Sequence, residues 1–288
     1  MALINRKAKK AEQKLKALVK GCQIPHFSDT ALKVLKLLRD PDACFEGISE
    51  RLQWDTGLVL RVLKTVNSPG FGTMSRIDDV QHAVSFLGRS KLEQIILALV
   101  VKEAVPSPRA PGFDVGRYWH TAALRAGLGR AIADQLHPAR SAEAFTSGLL
   151  QDIAVPVLAQ SQPDSYGEVL EAWHGRSSDS RDNLADLENQ AFGWCHAKVG
   201  GLLGEVWELP DGLRQSIQAH HASESTDWEV LPSVRLVALL PETQQVEGIE
   251  ELVEVARADY GLAPDWMVTT VEAAQEHAAS LASSLSGT

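Results

Sequence analysis

The sequence predicts an all-α protein arranged as two helical lobes, and three observations predict it. Apolar residues recur at three- and four-residue spacing along most of the 288 residues. No convincing run alternates apolar and polar residues as a half-buried strand requires. One stretch, Pro106-Ser-Pro-Arg-Ala-Pro-Gly112, is rich enough in proline and glycine to interrupt helix and divide the chain.

The elements follow in order. Asp29–Arg39 carries Leu32, Leu35 and Leu38 on one face, with Ser28 or Asp29 able to cap its start, and Asp40-Pro41-Asp42 stops it. A short helix follows with Phe45, Ile48 and Leu52 turned inward. Asp55 caps the next, whose buried stripe is Leu58, Val62, Leu63 and Val66, and Asn67-Ser68-Pro69-Gly70 ends it. Gly88 separates helices over 78–87 and 91–104. Beyond the linker, helices are predicted at 118–136, 142–159 and 163–174, then after a polar break at 175–182. Further helices occupy 184–206, 211–222, 232–240, 247–260 and 265–285. The expected organisation is a basic arm at 1–23, lobes at 24–105 and 114–240, and C-terminal helices at 241–288.

Composition narrows the function classes. Hydrophobic content of 44% with 23% charged residues is that of a folded globular chain. The longest apolar run, Ile95–Val101, is far short of a bilayer span, and the basic start lacks the apolar stretch of a secretory signal. Cys22, Cys44 and Cys195 form no CxxC pair, so a cytoplasmic location is expected. Of the net charge of −9, residues 1–20 contribute +6, leaving −15 on the remainder, which disfavours nucleic acid as a partner. The arm is amphipathic, through Leu15, Leu18 and Val19, and reads as a solvated leading helix or a contact for an acidic surface.

The stretches LKLLRDPDACFEGISERLQWDTGLVLRVLKTVNS and IDDVQHAVSFLGRSKLEQIILAL resemble the HDOD family, register for register. Tyr118-Trp119, GLLQDIA around Asp152, and LENQAFGWCHAKVGGLLGEVWELPDGLRQSIQAHH extend the resemblance to about residue 240. Glu188, Gly193, His196, Trp207 and His220-His221 fall at the family's spacings. The resemblance implies a helical bundle followed by a degenerate lobe related to the HD metal-dependent phosphohydrolases.

An HD hydrolase converges imidazoles and carboxylates on divalent ions that activate water and polarise a phosphoryl oxygen. Carried onto this sequence, the motif aspartate is Asp152, but its partner histidine is Gln151, the first histidine falls at Thr121 and the last aspartate at Ala238. His120 lies one residue away from the needed position, about 100° around the helix. The remnant pocket is therefore Asp152, His196, His220 and His221, and no bound metal or other cofactor is expected. In that reading Asp152 caps a helix or hydrogen-bonds His196 or His220, and His196 is a satisfied core histidine. His220 and His221, being consecutive, are expected to point in different directions.

The lost ligands thus predict a non-enzymatic module that binds proteins or a small ligand, and the resemblance implies a place in bacterial signalling. The family resemblance implies a kinase, a response regulator or a cyclic-dinucleotide enzyme as partner. The competing expectation is a metal-dependent phosphohydrolase or phosphodiesterase with a reduced ligand set.

Overall fold

Ser28 accepts a hydrogen bond from the Ala31 amide and opens the first helix, α1 (Asp29–Arg39), in a computed structural model of the chain. The structure describes residues 28–67, 76–175, 183–207, 209, 211–221, 230–240 and 249–286. The basic arm, the Ser68-Pro69-Gly70 turn and most of the 175–182 break lie outside them.

In α1 the buried stripe is Ala31, Val34, Leu35 and Leu38, the i, i+3, i+4, i+7 pattern of a single helical face. Leu32, expected on that face, is 43% exposed, because it lies one residue outside the stripe. Helix α2 (Phe45–Gln53) buries Ile48 and Leu52 as expected, but Phe45 is 42% exposed, with the Arg89 guanidinium over its ring. Asp55 caps α3 (Thr56–Val66) through the Leu58 amide, as its place in the sequence predicts. The Asn67 side chain then bonds the Leu63 carbonyl and both backbone groups of Ile77, tying the end of α3 to the approach of the next helix.

Helix α4 (Val80–Ala104) changes direction at Gly88, which sits at φ 67° where a side chain would be strained. Asp114 caps α5 (Val115–Leu136). The single helix expected over 142–159 is two, α6 (Ser141–Leu150) and α7 (Ala154–Ser161). Pro156 is the physical cause: it has no N–H for the Asp152 carbonyl, and its ring crowds that carbonyl. Val155 bonds the Asp152 carbonyl instead, in a tighter turn.

Helix α8 (Pro163–His174) precedes α9 (Leu184–Phe192), which Gly193 ends in the left-handed conformation at φ 78°. Next come α10 (His196–Val206), α11 (Asp211–Ala219), α12 (Pro232–Val237), α13 (Glu250–Tyr260) and α14 (Pro264–Ser286). No strand occurs among the described residues, so the fold is all-α. Helix α5 is the hub, packing on α6, α12 and α14. One apolar cluster runs from Ala31 in α1 to Ala282 in α14, and a second joins α7, α8 and α10 around Tyr166 and Leu203.

Candidate metal centre

Three local features deliver the polar groups to one place. The break between α6 and α7 puts Asp152 at a helix junction, almost fully buried. Gly193 turns the chain so that His196 begins α10, pointing into the core with 1% exposure. Helix α11 stops at Ala219, so His220 and His221 sit in a turn, where consecutive side chains are not fixed 100° apart.

Both histidines therefore reach the same point, which corrects the expectation that they diverge. His196 Nε2 lies 3.3 Å from His220 Nε2 and 3.2 Å from His221 Nε2. Asp152 Oδ1 lies 3.3 Å from His196 Nε2 and 3.2 Å from His220 Nε2. One ligand atom from each of the four residues falls within 4.8 Å of every other.

The remaining ring nitrogens fix the tautomers. His196 Nδ1–H donates to Glu188 Oε2 at 2.7 Å, and the same oxygen accepts from the His196 amide at 2.6 Å. Glu188 Oε1 accepts from the Tyr166 hydroxyl, so this fully buried carboxylate is held on both oxygens. His220 Nδ1–H donates to the Ile217 carbonyl at 2.7 Å. In their neutral forms both rings then aim bare Nε2 lone pairs at each other and at Asp152 Oδ1, a buried oxygen that receives no directional hydrogen bond. Three electron-rich atoms at this spacing require a cation among them.

Without a metal, that cation is a proton on His196. Burial alone would lower the basicity of His196, but Glu188 and Asp152 outweigh it and hold the ring well above its ordinary pKa. Burial would raise the Asp152 carboxyl, yet Arg125, His196 and His220 hold it well below the usual carboxylate range. Burial lowers His220, and burial with the neighbouring His220 and His196 lowers His221 further.

The same residues fit one divalent ion. Ligand bonds of about 2.0–2.1 Å in a tetrahedron put ligand atoms about 3.3–3.4 Å apart. The ligand atoms of Asp152, His196 and His220, 3.2–3.3 Å apart, match one face of that figure, and His221 Nε2 meets His196 Nε2 at the same spacing, 3.2 Å. Glu188 beneath His196 is the carboxylate that keeps a ligating imidazole in the right tautomer and raises its basicity.

Arg125, on α5, completes the cluster and had no place among the expected site residues. Its guanidinium pairs with Asp152 Oδ2 and reaches the Leu240 carbonyl at 3.4 Å, while Arg125 is only 5% exposed. Its sequence signal is a charged residue one turn from Thr121 within the small, apolar run AALRAGLG. Gly148 makes the pairing possible, since a Cβ there would lie 2.6 Å from the Arg125 carbonyl oxygen. The positions of lost ligands are neutral: Thr121 on α5 and Gln151 at the end of α6 are buried, and Ala238 just after α12 is half-buried. Both amide atoms of Gln151 are buried without a partner. His120, half-buried on α5, does not join the cluster, and burial lowers its pKa.

The HDOD domain profile matches residues 24–223, more than two-thirds of the chain. This protein belongs to the HDOD domain family. An uncharacterized protein of Treponema pallidum is 25% identical over 216 residues, and the match spans only 41% of that protein. Three solved structures share the HDOD fold across nearly the whole chain. A provisionally assigned phosphohydrolase from Shewanella amazonensis has TM-score 0.74 at 20% identity, covering 94% of this chain and 97% of that one. An HDOD domain protein of unknown function from Geobacter sulfurreducens has TM-score 0.73 at 18% identity, covering 98% and 99%. A provisionally assigned signal transduction protein from Marinobacter aquaeolei has TM-score 0.77 at 18% identity, covering 97% of this chain but 66% of its own. Among the described residues no helix is long and apolar enough to cross a membrane.

Proposed function

We propose that this HDOD protein is a regulatory module of bacterial signalling that works by binding, with a buried centre holding one divalent ion as a structural tie. The observation that carries this reading is that the centre is closed. Asp152, His196, His220 and His221 supply four protein ligand atoms within 4.8 Å of one another, and the first three residues are buried. Structural metal sites are saturated by protein ligands in this way, whereas catalytic ones keep a position for water and substrate.

Each residue has a definite task. Asp152 supplies charge, His196 and His220 supply imidazoles whose tautomers are set from behind, and His221 closes the fourth side. The bound ion would replace the His196 proton and join the α6–α7 junction to the start of α10 and the end of α11. With neutral Thr121, Gln151 and Ala238 around Arg125, the carboxylates and imidazoles for a second ion are missing. The partners are signalling proteins, with a kinase, a response regulator or a cyclic-dinucleotide enzyme as the classes to test. The setting is the cytoplasm, and the segments 24–105 and 114–240 act as the two lobes that present the binding surface.

A hydrolase is the second reading, and one observation favours it: His221 is the least buried of the four ligands. If it swings out, a position opens toward solvent. The test is metal content by inductively coupled plasma mass spectrometry on protein purified without chelator or affinity metal. The same samples are then assayed for turnover of nucleotides and cyclic dinucleotides with manganese, iron and zinc. One ion per chain without turnover is expected. Turnover that needs metal and disappears in Asp152→Asn would replace the binding reading with the hydrolase.

A further inference from the structure

Asp152 divides its two oxygens between different cations. Oδ1 faces the His196 and His220 imidazoles, and Oδ2 is held by the Arg125 guanidinium. Arg125 extends from Asp152 to the carbonyl of Leu240, two residues beyond Ala238. Thr121 lies one turn before Arg125 on the same helix, and Gln151 precedes Asp152 in the chain. The guanidinium thus stands at Asp152 with neutral residues at 121, 151 and 238, and the backbone that carries it lies close against Gly148.

We infer that Arg125 is a permanent, protein-supplied cation in the position of a second ion, and that it restricts the centre to a single metal. This rests on the single-ion reading above. Charge and ligand supply argue the same way. Asp152 and Glu188 are the only buried carboxylates among the described residues, and Glu188 is fully engaged by Tyr166 and His196. A guanidinium and one divalent ion already more than neutralise these two anions. A second divalent ion would have to displace Arg125, leaving it buried without its carboxylate, which is strongly unfavourable. Arg125 is a positioning residue here: it also directs Asp152 to bind the ion through one oxygen.

The experiment is ion counting on the full chain after zinc or manganese loading and gel filtration, with electron paramagnetic resonance of the manganese form. Wild type should hold one ion with an uncoupled manganese signal. Gln151→His with Ala238→Asp returns ligand types beside Arg125 and should still hold one. Adding Arg125→Gln to that pair should raise the count to two, with spin coupling between the ions. Two ions while Arg125 is in place, or one ion in the folded triple variant, overturns the inference. If the triple variant does not fold, anomalous diffraction from zinc-loaded wild-type crystals decides. A single peak at the imidazoles supports the inference, and a second peak about 3.5–4 Å away at Asp152 Oδ2 overturns it. A wild-type count of zero sinks the metal centre itself, a failure distinct from a count of two.

Discussion

His196 and His220 face each other through Nε2 atoms 3.3 Å apart, while each donates its Nδ1 proton elsewhere, to Glu188 and to the Ile217 carbonyl. The centre's chemistry follows from this pairing, because neither ring can relieve the contact by changing tautomer without breaking a buried hydrogen bond.

Glu188→Gln should keep the shape of the site but remove the charge behind His196. Metal affinity should fall by roughly 10–100-fold, the effect of losing an outer-shell carboxylate. Competition against a chromophoric chelator reads this directly, and an unchanged affinity would show that Glu188 only fills space.

The metal-stripped protein should show opposing pH effects from neighbouring groups. His196 is raised in the folded state, so its contribution is complete below its unfolded value of about 6.5 and is lost as pH rises through the folded value. His221 is depressed, so it contributes fully above about 6.5 and costs stability as pH falls. His221→Gln should therefore gain stability relative to wild type between about pH 7.5 and pH 5. Thermal melts in chelator check the sign, and a constant difference across that range would contradict it.

Asp152 is held low by Arg125 and the imidazoles against the opposing effect of burial. Its stabilisation should be complete above about pH 4 and lost only as pH falls through its depressed folded value. In metal-stripped Asp152→Asn that acid-side loss should shrink, which urea titrations from pH 5 downward would reveal.

Gly148→Ala should destabilise by about 1–3 kcal/mol, because its Cβ meets backbone and not a movable side-chain end. Chemical denaturation gives the value. A neutral substitution would mean that α5 and α6 separate easily.

Gln151→Met replaces a buried amide whose oxygen and nitrogen both lack partners. Stability should rise by about 1 kcal/mol, since the methionine has no polar group to desolvate. A loss would indicate that ordered water satisfies the amide.

The fold was largely legible in the sequence, because helical periodicity and local capping carry it. Ser28 and Asp55 cap where their positions said they would, and Gly88 breaks the long α4 segment. Where the reading failed, the deciding signal was present but weak. Pro156 marks the break at Asp152, four residues earlier, within an otherwise continuous apolar stretch. The remnant set Asp152, His196, His220 and His221 was identified by resemblance. Its convergence was not legible, because helical spacing says nothing about two histidines placed just past a helix end. Arg125 was missed because a buried charge is recognised by its partner, and that partner lies 27 residues away.

Helix α14 packs along α5, so the apolar face of residues 115–136 is finished only by residues 264–286. During synthesis the hub helix leaves the ribosome well before the segment that covers it. The nascent protein must carry that exposed face for the time needed to translate more than a hundred further codons. Final folding is therefore deferred until the α14 segment has emerged, and holdase chaperones have their opening in that interval.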